Sequence, residues 1–404
     1  MKKPLKIAYL ASEYPGISHT FIFREIAVLR ELGIDVITAS IRRPANLDKM
    51  TATEKIDAEN TLYIKTATVK RIAGSHFSLM TNSPGRYFAM LKQAITLSRQ
   101  GPRNLLKGIA YFVEAGILVK WMQDNHTDHV HVHFANPAAT VAMIGAVYGT
   151  TTFSISVHGP DIFYNVDTGL LAEKVIQAKA IRCISHYCRS QLMRLIPHRL
   201  WSKLDIVRCG IDKEKYSPRP EPGNTVPEIL CVGRLVPAKG QHILLDACGI
   251  LKQRGIDFTL TYVGDGEDRE SLKTLSQTLG IAPQVTFTGA IGQDEVPGYY
   301  DRADIFAIAS FAEGVPVVLM EAMAKEIPSI STRITGIPEL IDNGINGLLT
   351  APSDTTDLAD KLQLLIENTS LRTTLGKKGR QQVLEKYDLN ENCKIMADFF
   401  KGFL

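Results

Sequence analysis

Residues 229–254 decide the fold, and their sequence is ILCVGRLVPAKGQHILLDACGILKQR. The apolar run at 229–232 predicts a buried strand, and apolar residues at helical spacing predict a helix over 241–254. The loop at 233–240 joins the two elements. A buried strand that leads through a short loop into an amphipathic helix is the building unit of a parallel α/β sheet.

The same alternation continues on both sides of this unit. Downstream, strands are predicted at 258–263, 285–288, 304–309 and 328–331, with helices at 268–279 and 317–324. The chain also begins this way, with a strand at 5–10, a helix beginning near Phe21 and ending at Gly33, and a strand at 34–38. The sequence therefore predicts an α/β protein with two doubly wound domains.

A proline-rich segment separates the two predicted domains. Residues 217–227 have the sequence SPRPEPGNTVP, and four prolines with a glycine fit neither a helix nor a central strand. We predict an N-terminal domain over 1–216, a linker over 217–227 and a second domain over 228–387. The amphipathic stretch 388–404 is a final helix with too little core of its own, so it must pack elsewhere. Two such domains facing across a cleft would bind ligands at the carboxyl ends of their strands.

Charge is distributed unevenly along the 404 residues. The net charge is +4, but residues 1–215 carry +11 and the remainder carries −7. A basic half suggests either an anionic partner, such as a lipid surface or a lipid-diphosphate acceptor, or simply a solvated surface. Nucleic acid ranks last, because no nucleic-acid motif accompanies the charge, and we predict no nucleic-acid partner. The stretch 65–125 is predicted to be helical, and it is basic and contains aromatic residues. Such a helix face either rests on a membrane surface or is solvated.

One uncharged stretch, residues 134–160, raises the question of whether it forms a membrane span. It carries no Asp, Glu, Lys or Arg, but Asn136, Pro137 and several Gly, Ser and Thr residues interrupt it. A buried helix followed by a buried strand explains it better than a membrane span. No signal peptide is expected, and the six cysteines form no C-x-x-C pair, which favours reduced thiols. We expect a cytoplasmic enzyme, or a peripheral one at the inner face of the membrane.

The segment SFAEGVPVVLMEAMA at 310–324 contains two carboxylates eight residues apart. Glu313 lies in the predicted loop and Glu321 in the predicted helix, so both lie near a helix N-terminus that can bind anions or hydroxyls. Carboxylates are also natural bidentate acceptors for vicinal hydroxyls. The ligand-binding residues predicted at this junction are Gly314, Val315, Pro316 and Val317.

Two glycine-bearing loops precede this segment. Arg234 and Lys239, with Gly233, follow the first strand of the second domain, and paired cations on a strand-to-helix loop suit a diphosphate. Gly264 and Asp265 in VGDG form a turn that a nucleotide could approach. Two exposed loop cations remain the alternative interpretation of Arg234 and Lys239.

Histidines mark the first half of the chain. His158, in SVHGPD, ends an apolar strand and is well placed to contact a substrate. His129, His131 and His133 alternate along a predicted strand, which suggests either a metal site or structural histidines. Because no carboxylate or cysteine partner is evident, we favour structural histidines and predict no metal.

Taken in order, VHGPD, GRLVPAKG, VGDG and SFAEGVPVVLMEAMA resemble the family 4 retaining glycosyltransferases of the GT-B fold, over essentially the whole chain. The segments EYPGISHTFIFREIAVLRELG and HVHFANPAATVA are similar to bacterial exopolysaccharide and colanic-acid-type transferases. The resemblance implies two Rossmann-like domains. It also implies that the final helix returns to the N-terminal domain.

The resemblance assigns roles to five residues. Those that match Arg234 and Lys239 hold the donor's diphosphate, and the match to Glu321 holds its ribose. The match to Glu313 faces the transferred sugar, and the match to His158 contacts that sugar. Catalytic residues are therefore expected at His158, Glu313, Arg234 and Lys239.

The sequence departs from the family pattern in its first loop. Gly16 is single where the family often has two adjacent glycines near the phosphates, and His19 stands where related exopolysaccharide enzymes usually carry Glu. Gly16 is nevertheless expected at the donor. His19 and Asp161 are the acceptor-side candidates.

The function expected is retaining transfer of a hexose from a nucleotide-diphosphate sugar to a glycan, a lipid-linked or a small-molecule acceptor in exopolysaccharide synthesis. A UDP-sugar is the favoured donor and GDP-mannose the second candidate, with no metal or other cofactor. The alternatives are a GT-B phosphorylase or epimerase that reuses the phosphate site, and a non-catalytic nucleotide-sugar-binding subunit.

Overall fold

The computed structural model describes residues 5–16, 20–45, 50–98, 102–159, 163–164, 166–220 and 223–404. The chain divides into two compact units. The first consists of Met1–Val207 with Cys393–Leu404, and the second of Arg208–Asn392.

In its described residues, the first unit is built on a parallel sheet of seven strands with the order β3-β2-β1-β4-β5-β6-β7. Its strands are β1 Lys6–Glu13, β2 Asp35–Arg42, β3 Leu62–Tyr63, β4 His129–His133, β5 Thr152–Val157, β6 Ile181–Cys183 and β7 Leu204–Ile206. Its helices are α1 Thr20–Glu31, α2 Ala52–Glu59, α3 Val69–Asn82, α4 Pro84–Leu97, α5 Pro102–Asp124, α6 Pro137–Ala146, α7 Leu171–Gln177 and α8 His186–Met193.

The uncharged stretch forms the interior of this unit. Residues 138–145 of α6 are all buried, and so are all the residues of β5 except its first. A helix that is apolar on every side is expected in a core, which explains why this stretch lacks charge. Among the described residues, no helix combines the length and the apolar character needed to cross a membrane.

The second unit contains a parallel sheet of six strands in the order β10-β9-β8-β11-β12-β13, counted over the described residues. Its strands are β8 Glu228–Val232, β9 Thr259–Val263, β10 Val285–Phe287, β11 Ile305–Ala307, β12 Ser329–Thr332 and β13 Leu348–Thr350. Its helices are α9 Gln241–Gln253, α10 Arg269–Thr278, α11 Val296–Arg302, α12 Val317–Ala324, α13 Thr355–Glu367 and α14 Thr369–Lys386. These two parallel sheets confirm the α/β class with two doubly wound halves.

The last helix, α15 Leu389–Lys401, begins in the second unit and continues into the first. Within the first unit, the ring of Phe400 lies 5.1 Å from that of His131 and 6.2 Å from that of Tyr9. The ring of Phe403 lies 5.1 Å from that of His129. The apolar face of this helix thus covers polar side chains on β1 and β4.

The division between the units falls before the proline-rich segment. Ile211 pairs with Asp388, and the main-chain oxygen of Tyr216 accepts a hydrogen bond from Arg380 at 3.0 Å. Residues 208–216, which the sequence assigned to the first domain, therefore belong to the second unit. The local composition pointed to the proline-rich segment as the boundary, whereas these long-range contacts determine where the first unit ends and the second begins.

Candidate active site

Three neighbouring strands of the second unit, β9, β8 and β11, present their carboxyl ends side by side. The loop after β8 carries Arg234 and Lys239, the loop after β9 carries Asp265, and the loop after β11 carries Glu313. Main-chain hydrogen bonds join these loops: Leu235 N donates to Asp265 O at 3.0 Å, and Phe311 N donates to Ala238 O at 2.9 Å. The structure therefore brings together the loops that the sequence singled out in this unit.

Two glycines allow the loops to approach this closely. Gly240 has a φ of +59°, and a Cβ there would lie 2.2 Å from the carbonyl oxygen of Ala309. Gly264 has a φ of +143°, and a Cβ there would lie 2.0 Å from the carbonyl oxygen of Gly233. Since main-chain atoms cannot move aside as a flexible side chain can, both positions require glycine.

Lys239 and Glu313 form an ion pair at the centre of this arrangement. Lys239 Nζ lies 2.5 Å from Glu313 Oε1, which also accepts a hydrogen bond from the Ser310 hydroxyl at 2.8 Å. The Thr335 hydroxyl donates to the main-chain oxygen of Glu313 at 2.5 Å. The Lys239 side chain is 25% exposed and that of Glu313 is 9% exposed. A buried carboxylate therefore fixes a cation that solvent, and hence a ligand, can reach.

Arg234 is exposed, and a hydrogen bond from α9 holds its main-chain oxygen. Gln241, a buried residue at the start of α9, donates its side-chain amide to Arg234 O at 2.7 Å. The Arg234 guanidinium thus belongs to a loop, residues 233–240, whose main chain is held by this hydrogen bond. Beside it, Asp265 accepts from Gly266 N at 2.9 Å and pairs with Arg269 at 3.2 Å, which closes the turn after β9.

The loop from 314 to 316 leads directly into α12, whose first residue is Val317. Pro316 is its N-cap, Val315 and Pro316 are buried, and Gly314 and Val317 are partly exposed. Gly314 O accepts a hydrogen bond from Gly336 N at 3.2 Å, so a second loop supports this one.

The carboxylate of Glu321 is buried and held by two tyrosines. Tyr216 donates its hydroxyl to Oε1 at 2.7 Å, and Tyr300 donates to Oε2 at 3.1 Å. These tyrosines lie far from Glu321 in sequence, and no local pattern indicated them. Because each carboxylate oxygen can accept more than one hydrogen bond, the assignment of Glu321 to a ribose stays a prediction.

Cys231 lies on β8 beneath these loops. Burial raises the pKa of its thiol to about 12, with Lys239 acting in the opposite direction. The thiol is therefore uncharged at neutral pH and unsuited to nucleophilic attack.

In the first unit, His158 follows β5 and is buried. Its ring stacks on that of His133 at 5.1 Å, and the rings of Phe21 and Phe134 each lie 4.9 Å away. Gly16 follows β1 and is also buried. The acceptor-side predictions His19 and Asp161 lie outside the described residues.

The alternating histidines of β4 pair with hydroxyls on the neighbouring strand. Thr152 and Ser154 contact the two ring nitrogens of His129, each at 2.8 Å. Ser154 and Ser156 contact those of His131, each at 2.7 Å. Within the part of the chain that is described, no group of three or more His, Cys, Asp or Glu side chains could hold a metal ion.

A cavity of about 230 Å³ lies beside the end of β4, in the first unit. Lys174 lines it and donates to Ala135 O at 2.8 Å and to Asn136 O at 2.9 Å. Burial lowers the pKa of Lys174 to about 7. These bonds tie α7 to the loop that precedes α6.

Comparison with known proteins shows what the second unit is similar to. Residues 212–382 match the family model for glycosyl transferases group 1. The chain is 26% identical over 409 residues to WcaL of Escherichia coli (strain K12), which bears the name of a colanic acid biosynthesis glycosyltransferase; 96% of this chain and 97% of WcaL are covered. It is 26% identical over 287 residues to a GDP-mannose-dependent phosphatidylinositol monomannoside mannosyltransferase of Mycobacterium tuberculosis, covering 66% of this chain and 74% of that protein.

Solved structures identify the fold of the whole chain. The crystal structure of Anabaena HepE in complex with UDP-glucose superposes with a TM-score of 0.76 at 17% identity, covering 98% of this chain and 100% of HepE. The match confirms the GT-B fold, and the group 1 match agrees with the family resemblance of the sequence motifs. The chain has the GT-B fold, and residues 212–382 of its second unit match the glycosyl transferases group 1 family model.

Proposed function

We propose that the protein transfers a hexose from a nucleotide-diphosphate sugar to an acceptor with retention of anomeric configuration. The observation that carries the proposal is the cation pair Arg234 and Lys239, on one braced loop, with Lys239 held 2.5 Å from Glu313. HepE was crystallised with UDP-glucose, and the mycobacterial relative is GDP-mannose-dependent. These names support a UDP-sugar first and GDP-mannose second.

The charge of the site suits the departure of a nucleoside diphosphate. As the glycosidic bond breaks, positive charge grows at the anomeric carbon and negative charge grows on the diphosphate. Arg234 and Lys239 would stabilise the diphosphate, while the Glu313 carboxylate would face the sugar and its growing positive charge. Two cations on one loop can supply this stabilisation, so we propose that the transfer needs no metal ion or other cofactor.

The remaining site residues have subordinate roles in this proposal. Glu321 binds the ribose, and the loop from Gly314 to Val317 with Gly264 and Asp265 lies against the nucleotide. His158 takes part in the same reaction from the first unit. The WcaL likeness supports an acceptor that belongs to exopolysaccharide synthesis, with His19 and Asp161 as acceptor-side candidates.

The donor and the stereochemistry can be tested together. We expect UDP to raise the melting temperature of the protein more than GDP or ADP. With the matching nucleotide sugar and excess EDTA, NMR should show a product with the anomeric configuration of the donor. Inversion would contradict the mechanism. Phosphorolysis of the donor would favour a phosphorylase, and epimerisation of the sugar on the intact nucleotide donor would favour an epimerase.

We further propose a location in the cytoplasm at an anionic membrane, contacted by a basic surface on α3, α4 and α5. Residues 60–113 contain eight Lys and Arg and no Asp or Glu. On these helices Phe77, Phe88 and Leu106 are 65%, 56% and 70% exposed. Exposed apolar side chains on helices from a basic stretch of the sequence match the chemistry of an anionic lipid surface.

Vesicle sedimentation tests this surface. We expect the protein to bind phosphatidylglycerol-containing vesicles at low salt and to dissociate as salt is added, because exposed charges are screened. Replacing Phe77, Phe88 and Leu106 together by serine should weaken binding about tenfold, since three apolar side chains no longer enter the lipid.

The matched control for the basic surface is Leu364→Ser. Leu364 is 45% exposed on α13 of the second unit, so its loss should leave vesicle binding unchanged. Equal binding of the triple variant and the wild-type protein would contradict the proposed surface. Equal binding to neutral and anionic vesicles would contradict the role of charge.

A further inference from the structure

The ring of His158 belongs to a buried polar chain that crosses the first unit. His133 Nδ1 lies 3.0 Å from His158 Nε2, and His133 Nε2 lies 3.3 Å from Glu25 Oε1. The other carboxylate oxygen of Glu25 accepts a hydrogen bond from Arg182 Nη1. Glu25, His133 and Arg182 are at most 3% exposed. Sequence motifs did not indicate Glu25 or Arg182 as functional, and they indicated His133 only as a member of the alternating histidines.

The Glu25 carboxylate, which contacts both Arg182 and His133, is ionised. Burial alone would raise the pKa of Glu25, but the Arg182 guanidinium and His133 hold it well below its usual range. An ionised carboxylate can only accept hydrogen bonds. His133 Nε2 and Glu25 Oε1 lie 3.3 Å apart outside hydrogen-bond geometry, so their contact is electrostatic. The carboxylate attracts an N–H group and repels a nitrogen lone pair, and we therefore place the proton of His133 on Nε2.

The proton on His133 Nε2 determines which nitrogen of His158 carries a proton. Burial lowers the pKa of His133, so its ring is neutral at pH 7 and has one N–H group. With the proton on Nε2, Nδ1 of His133 must be an acceptor. The donor in the contact between the histidines is then Nε2 of His158, and in a neutral ring its Nδ1 is the acceptor nitrogen.

The elements packed around Glu25, His133 and His158 each contribute a titratable or charged group. Tyr9 on β1 donates its hydroxyl to Glu25 Oε1 at 3.1 Å, and the ring of His131 on β4 lies 5.3 Å from that of His133. The thiols of Cys393 on α15 and Cys188 on α8 face the main-chain oxygens of Glu25 and Val157. Burial raises the pKa of Tyr9 and lowers that of His131, so both are uncharged at neutral pH.

We propose that Glu25 and His133 are positioning residues that hold His158 as the neutral Nε2–H tautomer, with Arg182 balancing the charge of Glu25. This inference rests on the proposed participation of His158 in transfer. A neutral imidazole adds no positive charge near an anomeric carbon on which positive charge is growing.

Nitrogen NMR on protein with ¹⁵N-labelled histidine tests the tautomer without any activity measurement. A His158→Gln sample identifies the His158 signals. We expect a protonated Nε2 and an unprotonated Nδ1 for His158 at pH 7. A proton on Nδ1 would overturn the proposal, whether or not transfer is ever detected. Failure of transfer with every nucleotide sugar would instead count against the proposed function.

Two matched substitutions of His133 test the consequence for turnover. His133→Asn keeps an oxygen near the position of Nδ1, whereas His133→Leu removes the acceptor. We expect the leucine variant to lower kcat about tenfold with KM for the donor unchanged, because loss of a supporting hydrogen bond leaves His158 misoriented. The asparagine variant should recover most of kcat. Equal kcat values in the two variants would overturn the proposal.

Glu25→Gln provides a readout that a merely structural role would not move. Loss of the carboxylate leaves Arg182 unbalanced, and its positive charge lowers the pKa of the nearby histidines. The acid limb of the kcat profile should therefore move to lower pH, while the plateau falls about tenfold. An unchanged profile in a folded variant would contradict the proposed role of Glu25.

Discussion

Replacing Lys239 by alanine lowers kcat at least about 100-fold, the largest catalytic effect that we expect. Lys239 is the partly exposed cation held at 2.5 Å by Glu313, so its ammonium group is positioned before any ligand arrives. Loss of one preorganised group that stabilises a developing charge costs on the order of 3–4 kcal/mol in the transition state. Glu313 keeps the Ser310 hydroxyl, so the loop should remain folded.

Turnover of Lys239→Ala can be measured without an acceptor, as slow hydrolysis of the nucleotide sugar that best stabilises the protein. Lys273→Ala is the matched control. It removes a lysine from an exposed pair with Glu270 on α10 of the same unit, and its kcat should match that of the wild-type protein. Near-normal turnover in a folded Lys239→Ala variant would eliminate leaving-group stabilisation by this residue.

Replacing Arg182 by methionine lowers the free energy of unfolding of the first unit by about 3–5 kcal/mol, the largest stability effect that we expect. Arg182 is 1% exposed, and its guanidinium pairs with Glu25 while its Nε donates to Val207 O at 2.9 Å. The substitution keeps the apolar stem but leaves the Glu25 carboxylate buried without its cation. Breaking a buried pair in this way is costly, although the intact pair need not be strongly stabilising.

Denaturant unfolding of the Arg182→Met variant, followed by circular dichroism, measures this cost. Lys401→Met is the control, because Lys401 and Asp398 form an exposed pair on α15; it should change the free energy by less than about 0.5 kcal/mol. A loss below about 1 kcal/mol for Arg182→Met would contradict the expected role of the pair.

The pH dependence of stability provides a check on the same pair. The folded-state pKa of Glu25 is depressed, so its ionisation stabilises the fold above the unfolded-state pKa of about 4. That contribution should decline as the pH falls below about 4, and it should be absent from Arg182→Met. The difference in stability between the two proteins should therefore narrow in acid.

Local patterns were sufficient for five strands of the second unit and for the loops of its site, but they did not indicate β13, α11, α13 or α14. The apolar run and helical spacing around Gly233 to Gly240 correctly predicted β8 and α9, because burial in a parallel sheet leaves a local signature. Arg234, Lys239 and Glu313 follow neighbouring strands of that sheet. Their proximity was therefore predictable from topology.

The residues that support the site were not predictable in this way. Glu25 and Arg182 are 157 positions apart, and Tyr216 meets Glu321 across 105 positions. A tyrosine in a loop or a charged residue in a helix has the same local sequence whether it is buried in a polar network or exposed. Their roles follow only from packing. The division of the units before the proline-rich segment has the same cause.

Titration calorimetry with the nucleoside diphosphate that best stabilises the protein tests the central claim, that Arg234 and Lys239 bind the donor's diphosphate. We predict that the double variant Arg234→Ala/Lys239→Ala binds it at least about 100-fold more weakly, since it loses two charge-assisted contacts. The Lys273→Ala control should retain the wild-type Kd. An unchanged Kd in a folded double variant would contradict the account.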